Sequence, residues 1–297
     1  MLARRMLIGF AIIIVVAGYV LWQVAGFTFL SAIATAVAII VGARALVVLL
    51  GFAVGWWFGS ERPAEGRIGV AEAGTLVIRE LFATLRVFFV LHPLEPWLAR
   101  TPEPNRPGIP ILLVHGFFSN AAYWRSMKRY LGARGLDNVH TLNLEPPFGD
   151  LDGFLTQLAE RIDSLGSTGG PVVLVGHSMG GLVCRALAKS GWGTDRITKI
   201  ITLGTPHSGT LEAWMMTGTN VRQMRPGSDW LESLNYGNAR AIPIVSIYSY
   251  HDNIIVPQSR AVLGGAKNLA VRGIGHLEMG FSRVIMDLVY NELLQRS

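Results

Sequence analysis

The segment 172–187 constrains this chain more than any other stretch. A short β-branched apolar run ends in Gly-His-Ser-Met-Gly at 176–180, and helix-forming residues follow. This strand–turn–helix pattern is typical of a nucleophile elbow, whose tight turn leaves no room for side chains two residues before and two after the serine. It predicts that the Ser178 hydroxyl lies at a helix N-terminus, where backbone N–H groups can stabilise an oxyanion. The alternative is a glycine-rich turn with an incidental serine, which the flanking strand and helix disfavour.

Composition separates the N-terminal residues from the rest. Of the 297 residues, 51% are hydrophobic and 15% are charged, and the apolar excess lies near the N-terminus. Such a chain is more apolar than an ordinary soluble domain. The net charge of +6 comes from scattered Lys and Arg residues, which argues against nucleic acid and favours an anionic lipid surface. The single cysteine, Cys184, allows no intrachain disulfide and is interpreted as a buried packing residue.

Two apolar stretches near the N-terminus are each long enough to cross a bilayer, at ~20 residues per span. Residues 7–27 carry no charge, and residues 28–59 are interrupted only by Arg44. Together they predict transmembrane helices arranged as a hairpin over 1–60, with an interfacial aromatic belt around Trp56. In the alternative, the second stretch breaks near Gly42 into two short segments.

The charges that flank the hairpin predict its orientation. Arg4 and Arg5 precede it, Arg62 and Arg67 follow it, and the connecting turn is uncharged. By the positive-inside rule, both ends and the large domain after them lie in the cytoplasm, with a bacterial inner membrane as the expected location. An odd number of crossings would place the domain in the periplasm instead.

The pattern changes over 61–108. Apolar side chains recur at helical spacing among charged ones in 68–100, which predicts an amphipathic helix. Its apolar face either packs on the domain that follows or lies along the membrane surface, and periodicity does not separate the two. Three prolines and a glycine in 101–108 predict a linker and a domain boundary.

Residues 109–297 alternate strand and helix patterns. Strands are predicted at 109–114, 139–144, 172–175, 197–203, 242–248 and 268–271. This alternation predicts an α/β fold with a mostly parallel sheet and helices on both faces. Functional residues are then expected at the C-terminal ends of the strands.

Order along the chain selects the partners of Ser178. After an elbow serine, the acid and then the histidine follow in sequence. Asp252 comes directly after the strand at 242–248, and His276 lies in a glycine-flanked loop after the last strand. His207 and His251 precede or adjoin Asp252 and so break the order. The predicted catalytic residues are therefore Ser178 as nucleophile, Asp252 as acid and His276 as base.

The loop after the first strand begins with His-Gly at 115–116. Its position predicts the backbone N–H of Phe117 as one oxyanion donor, with the N–H of Met179 as the other. The His115 side chain is interpreted as a structural group that bonds the loop backbone.

An insertion at about 205–240 is rich in large apolar residues just past the active edge of a strand. It predicts a lid or an acyl-binding wall, with ordinary core packing as the alternative. The predicted substrate-binding residues are Phe118, His207, Trp214 and Met215.

The motifs now form a recognisable set: His-Gly-Phe at 115–117, Gly-His-Ser-Met-Gly-Gly at 176–181, Gly-Thr-Pro-His-Ser-Gly at 204–209, Asp252 and Gly-His at 275–276. They resemble bacterial lipases and esterases of the α/β-hydrolase superfamily, most of all the small triacylglycerol lipases with a minimal sheet. The resemblance covers about 109–295 and excludes the hairpin. It implies an α/β-hydrolase fold and the serine, acid and base roles given above.

Some larger lipases of this kind bind calcium near the base loop. After His276, this chain offers only Glu278 before Asp287, so neither a metal nor a cofactor is predicted. The predicted function is a membrane-anchored serine hydrolase that cleaves carboxylic esters, with a lipid or acyl ester reached from the bilayer. Two alternatives stay open: an acyltransferase that uses the same triad, and a non-catalytic membrane scaffold, which the Ser, Asp and His set disfavours.

Overall fold

The computed structural model describes residues 26–98, 108–165, 170–192, 195–237 and 242–295, together with part of 9–23. The linker predicted at 101–108 lies outside these residues except for Gly108, and the first predicted span, 7–27, lies partly outside them.

Helix α1, Phe29–Trp57, begins at Thr28, whose side-chain oxygen accepts a hydrogen bond from Ser31 N. It is the one helix among the described residues that is long and apolar enough to cross a membrane, a statement about length and composition alone. At 1.5 Å per residue its 29 residues span about 43 Å, more than the roughly 30 Å of a hydrocarbon core. The helix runs through Gly42 without interruption, so the break considered there does not occur.

The predicted amphipathic helix is present in three pieces. Helix α2, Val70–Arg86, continues through a π-helical stretch, Val87–Leu91, into helix α3, His92–Leu98. Pro93 and Pro96 cannot donate backbone hydrogen bonds, which accounts for the irregular end of this long helix.

Six strands form one sheet: β1 Ile111–Val114, β2 Val139–Leu142, β3 Val172–His177, β4 Ile197–Leu203, β5 Ile244–Ser249 and β6 Lys267–Val271. Their order is β2-β1-β3-β4-β5-β6, and every neighbouring pair is parallel. The helices after β1 are α4 Arg125–Gly132, α5 Leu151–Ser164, α6 Met179–Lys189, α7 Thr219–Gln223, α8 Asp229–Asn235 and α9 Arg283–Leu294. The chain reverses its direction of growth between β1 and β3, and ligands of such sheets bind at the carboxyl ends of the strands flanking that point.

The sheet is buried on both faces, as strand β1 illustrates. Leu112 and Val114 point into a core built with α5 and α6, whereas Ile111 and Leu113 point into a second core built with α4 and α9. Successive strand side chains alternate between faces, so an unbroken apolar run requires cover on both sides. The two cores hold the strand ends, and hence the loops that follow them, in fixed positions.

The N-terminal helices pack on the loops of the sheet. A Cβ on Gly51 of α1 would lie 2.8 Å from the carbonyl oxygen of Asn253, so the helix backbone approaches the loop after β5 closely. On α2, Leu76 is buried and Arg79 Nε lies 3.0 Å from Glu278 Oε1. The buried face of the amphipathic helix is therefore covered by α1 and by the domain.

The insertion is partly core. It contains a 3₁₀ turn, Leu211–Trp214, followed by α7 and α8. Ala213, Val221 and Leu231 join the core on the α5–α6 face of the sheet. Trp214 and Met215 instead are 60% and 69% exposed.

Candidate active site

The elbow is formed where β3 meets α6. Ser178 lies between them with φ 55° and ψ −126°, a strained conformation for a residue other than glycine. Its N–H donates to Leu203 O at 2.8 Å, and Thr205 Oγ1 donates to its carbonyl oxygen at 2.9 Å. A Cβ on Gly180 would collide with the backbone at Val114, as expected for a turn that excludes side chains there. The strain therefore persists because strands on both sides hold the turn.

Asp252 and His276 meet at the same edge of the sheet. His276 Nδ1 lies 2.8 Å from Asp252 Oδ2, with both residues almost fully buried. The other carboxylate oxygen, Oδ1, accepts from the N–H groups of Ile254 and Ile255 at 2.8 Å each. Burial lowers the pKa of His276, but the charge and hydrogen bond of Asp252, with the charge of Glu80, outweigh it, so that the pKa is raised. This pair can hold one imidazole tautomer and stabilise the imidazolium.

Ser178 and His276 line one cavity of about 260 Å³. The part of its wall that belongs to the domain includes Phe117 and Phe118. The rest comes largely from the N-terminal segment, with Arg44, Val47 and Val48 from α1 and Glu80, Thr84 and Phe88 from α2 and its π-helical stretch. The Arg44 guanidinium carbon lies 4.4 Å from the centre of the Phe88 ring. The candidate membrane helix therefore forms one side of the cavity that holds the serine.

The loop after β1 passes beside the elbow. A Cβ on Gly116 would lie 2.8 Å from Ser178 Cβ, so this glycine lets the two backbones approach. His115 Nε2 accepts from Leu144 N at 3.0 Å, and its Nδ1 donates to Gly116 O at 2.8 Å, a structural role for its side chain. Phe118 has φ 51°, so a second strained residue lies beside the serine. Of the two predicted oxyanion donors, Phe117 lines the same cavity as Ser178, and Met179 follows the serine as the first residue of α6.

The predicted substrate-binding residues do not all reach the cavity. Phe118 lines it, whereas Trp214 and Met215 are exposed and the neighbouring Met216 lines it in their place. His207 is 1% exposed: its Nδ1 accepts from Arg185 Nη1 at 3.1 Å, and burial lowers its pKa well below the usual value. The structure therefore places His207 in a buried hydrogen-bond network beneath the strand ends.

Two residues that contact His276 or its loop were not predicted from the sequence. The ring of His177 lies 4.6 Å from that of His276, and its Nε2 donates to the His276 carbonyl oxygen at 3.1 Å. The Glu80 carboxylate, from α2, accepts from the N–H groups of Leu277 and Glu278 directly after the base. The sequence does contain a signal for Glu80, because this charged residue lies at helical spacing between Leu76 and Thr84 on the face that is buried. Within the described ranges, no group of three or more His, Cys, Asp or Glu could hold a metal ion.

Residues 111–277 match the model of a family described as "Alpha/beta hydrolase family". The chain belongs to this alpha/beta hydrolase family. The match begins at β1 and ends just after His276, and it leaves out α1, α2 and α3. The all-parallel sheet and the elbow agree with the fold that the motifs predicted.

Similar proteins include two triacylglycerol lipases. Those of Pseudarthrobacter phenanthrenivorans and Burkholderia plantarii are each 31% identical over an aligned length of 113 residues, and each alignment covers 34% of this chain. The aligned region spans only about a third of their length, 34% and 30% respectively. Among solved structures, the mature form of the lipase BlEst2 of Bacillus licheniformis has a TM-score of 0.56 at 20% identity, covering 66% of this chain and 95% of that one. This likeness shows the fold.

Proposed function

We propose that the chain is a membrane-anchored serine hydrolase that cleaves carboxylic esters of lipids or other acyl compounds. The observation that carries the proposal is the convergence of Ser178 with the hydrogen-bonded pair of Asp252 and His276 at one apolar cavity. The triacylglycerol lipases that resemble part of the chain support an ester as substrate. An acyltransferase that uses the same triad would differ from a hydrolase in its products.

In the proposed mechanism, Ser178 Oγ attacks the ester carbonyl while His276 accepts the hydroxyl proton. The backbone N–H groups of Phe117 and Met179 stabilise the oxyanion, which forms only in the tetrahedral intermediate. His276 gives its proton to the leaving alcohol, and an acyl-enzyme on Ser178 remains. Water, deprotonated by His276, then attacks this acyl group, and His276 returns the proton to Ser178 Oγ as the acid is released.

The bilayer is the proposed source of the substrate. Helix α1 exposes a row of large apolar side chains, including Leu46, Leu49 and Leu50, and ends at the exposed Trp56 and Trp57. Tryptophan at the end of an apolar helix is typical of the membrane interface. A Cβ on Gly18 would contact Ile33 at 3.5 Å, which supports a hairpin of 15–20 against the first turns of α1. The proposed topology is two spans of a bacterial inner membrane, with the catalytic domain in the cytoplasm.

A fluorophosphonate probe tests the central proposal, because it labels only an activated serine. The full-length protein in detergent should be labelled and should hydrolyse p-nitrophenyl butyrate. Replacement of Ser178 with Ala should abolish labelling and lower kcat by roughly 10⁴-fold or more. Ser119→Ala is the matched control, since Ser119 lines the same cavity and should keep its labelling. Equal labelling of the two variants would show that the nucleophile is misassigned. Ester formation with an added alcohol, in excess over hydrolysis, would favour the acyltransferase.

A further inference from the structure

Glu80 is a buried carboxylate outside the region matched by the family model. It lies on α2 and is 1% exposed. Oε1 accepts from Leu277 N and Oε2 from Glu278 N, both at 2.9 Å. These are the first N–H groups of the 3₁₀ turn Leu277–Gly280, which has His276 at its N-cap. Both carboxylate oxygens of Glu80 thus hold the turn that begins at the proposed base.

The loop is shaped to accept this carboxylate. A Cβ on Gly275 would collide with Glu80 Oε2, so the residue before His276 leaves the space that Glu80 occupies. A buried carboxylate without hydrogen bonds is costly, and the two backbone donors reduce that cost. The same donors are N–H groups at the start of a helical turn, which have no partner within the turn, and a negative charge is favourable there. Glu80 and the His276 loop therefore stabilise each other.

Glu80 and His276 also interact through their charges. Burial raises the pKa of Glu80 to about 7, although the two backbone hydrogen bonds and His276 lower it. In return, the charge of Glu80 acts with Asp252 to raise the pKa of His276. The other ionisable groups near Glu80 are Asp252, whose charge raises the pKa of Glu80, Tyr123, and Glu278, which is paired with Arg79 at 3.0 Å.

We propose that Glu80 is a positioning residue for ester hydrolysis, which fixes the His276 loop and adds a negative charge that favours the imidazolium. The inference rests on the proposed function, in which His276 is the base. Glu80 acts through His276 and not on the reacting atoms. Because it belongs to α2, the N-terminal segment contributes to turnover in addition to anchoring the chain.

Steady-state kinetics of the full-length protein in detergent test this role, with p-nitrophenyl butyrate as substrate and rates normalised to fluorophosphonate-titrated sites. Glu80→Gln should lower kcat by ~10- to 100-fold with KM within about twofold, because the loop loses its alignment. It should also move the acid limb of kcat/KM to lower pH by roughly half to one unit, because His276 loses a neighbouring charge. Glu80→Asp keeps the charge but is too short to reach both N–H groups, so kcat should fall while the acid limb stays.

Glu72→Gln is the matched control, because Glu72 lies on the same helix, partly exposed and 3.8 Å from Arg272. It should leave both kcat and the acid limb unchanged. A Glu80→Gln variant whose acid limb does not move would overturn the proposal whatever its rate, since a structural residue would behave in this way. Loss of titratable sites in both Glu80 variants would also overturn it and assign Glu80 to folding alone. Activity that survives Ser178→Ala would instead defeat the proposed function, independently of any result at Glu80.

Discussion

The alpha/beta hydrolase domain and the N-terminal segment, residues 26–98, differ in the contacts that hold them in place. Inside the domain, strands such as Ile111–Val114 bury apolar side chains in two cores, which helices cover on both faces of the sheet. Between the segment and the domain, Val87 joins one core and Phe88 packs against it, but the contacts at the loops of Asp252 and His276 are made by a glycine and a single polar group. Gly51 lies on the loop of Asp252, and Glu80 binds the loop of His276. The domain thus carries the proposed reacting groups, while the segment contacts their loops from outside.

Each loop is held by a different helix. On the acid side, Gln258 Nε2 donates to Asp252 O at 2.9 Å, and Gln258 Oε1 accepts from Ser60 N, just after α1, at 3.0 Å. On the base side, Glu80 of α2 takes the two N–H groups after His276. The cavity between these loops is closed by the same two helices. We infer that a change at the proposed reacting groups lowers turnover more than a change at the helices that hold their loops.

The largest effect is expected at Asp252. In Asp252→Asn, the amide oxygen must stay on the N–H groups of Ile254 and Ile255, which leaves the NH₂ group facing His276 Nδ1. An NH₂ group facing Nδ1 favours the imidazole with its proton on Nε2, where it cannot accept the serine proton. We expect kcat to fall by about 10⁴-fold, the loss known for this exchange in a serine protease.

Asp229→Asn provides the comparison, because Asp229 lies exposed at the start of α8. Its kcat should stay within about twofold of the wild type. A loss below tenfold in Asp252→Asn, measured on titrated sites, would mean that Asp252 does not orient the base.

Ser178, Asp252 and His276 could be proposed as nucleophile, acid and base because each is tied to a local pattern. Gly176 and Gly180 mark the elbow, and Asp252 and His276 each follow a recognisable strand in the required order. The sheet could be predicted because strand and helix patterns alternate along the chain, with apolar runs at its central strands β1 and β3. Such patterns are read from a few neighbouring residues and do not depend on distant contacts.

The contributions of the N-terminal segment could not be predicted in this way. Glu80 bonds residues 197 and 198 positions away, and helical periodicity does not name the surface that its face meets. His207 illustrates the converse, because a loop position at the active edge predicted a substrate contact while its side chain turns to Arg185. Trp214 likewise belongs to a pattern of large apolar residues that predicted a substrate contact, but the centre of its ring lies 4.6 Å from the guanidinium carbon of Arg225. In each case, long-range packing decides where the side chain points.

A smaller effect is expected where α1 meets the acid loop. In Gly51→Ala, the new Cβ would lie 2.8 Å from the carbonyl oxygen of Asn253, whose side chain accepts from His276 N at 3.1 Å. The helix or the loop must shift, at about 1–3 kcal/mol. We expect a Tm lower by several degrees and a kcat lower by about tenfold.

Gly42→Ala is the matched change on the same helix, since its Cβ would meet nothing within 4 Å. There the helix should gain about 0.5–1 kcal/mol from the loss of a flexible glycine, with kcat unchanged. Thermal unfolding and kinetics of the two variants in the same detergent make the test. Equal behaviour of the two would show that α1 is a tether with no hold on the catalytic loops.

The smallest effect is expected from the insertion, where adjacent residues differ in their relation to the cavity. Met216 lines the cavity and packs on the core, so Met216→Trp should fill part of the space available to an acyl chain. We expect the ratio of kcat/KM for p-nitrophenyl octanoate to that for the butyrate to fall about fivefold, since a few methylenes then lose their contacts. Trp214→Ala removes a larger but exposed side chain and should leave the ratio within about twofold. The opposite ranking would mean that the insertion moves over the cavity when substrate binds, with Trp214 closing on the acyl chain as a lid residue.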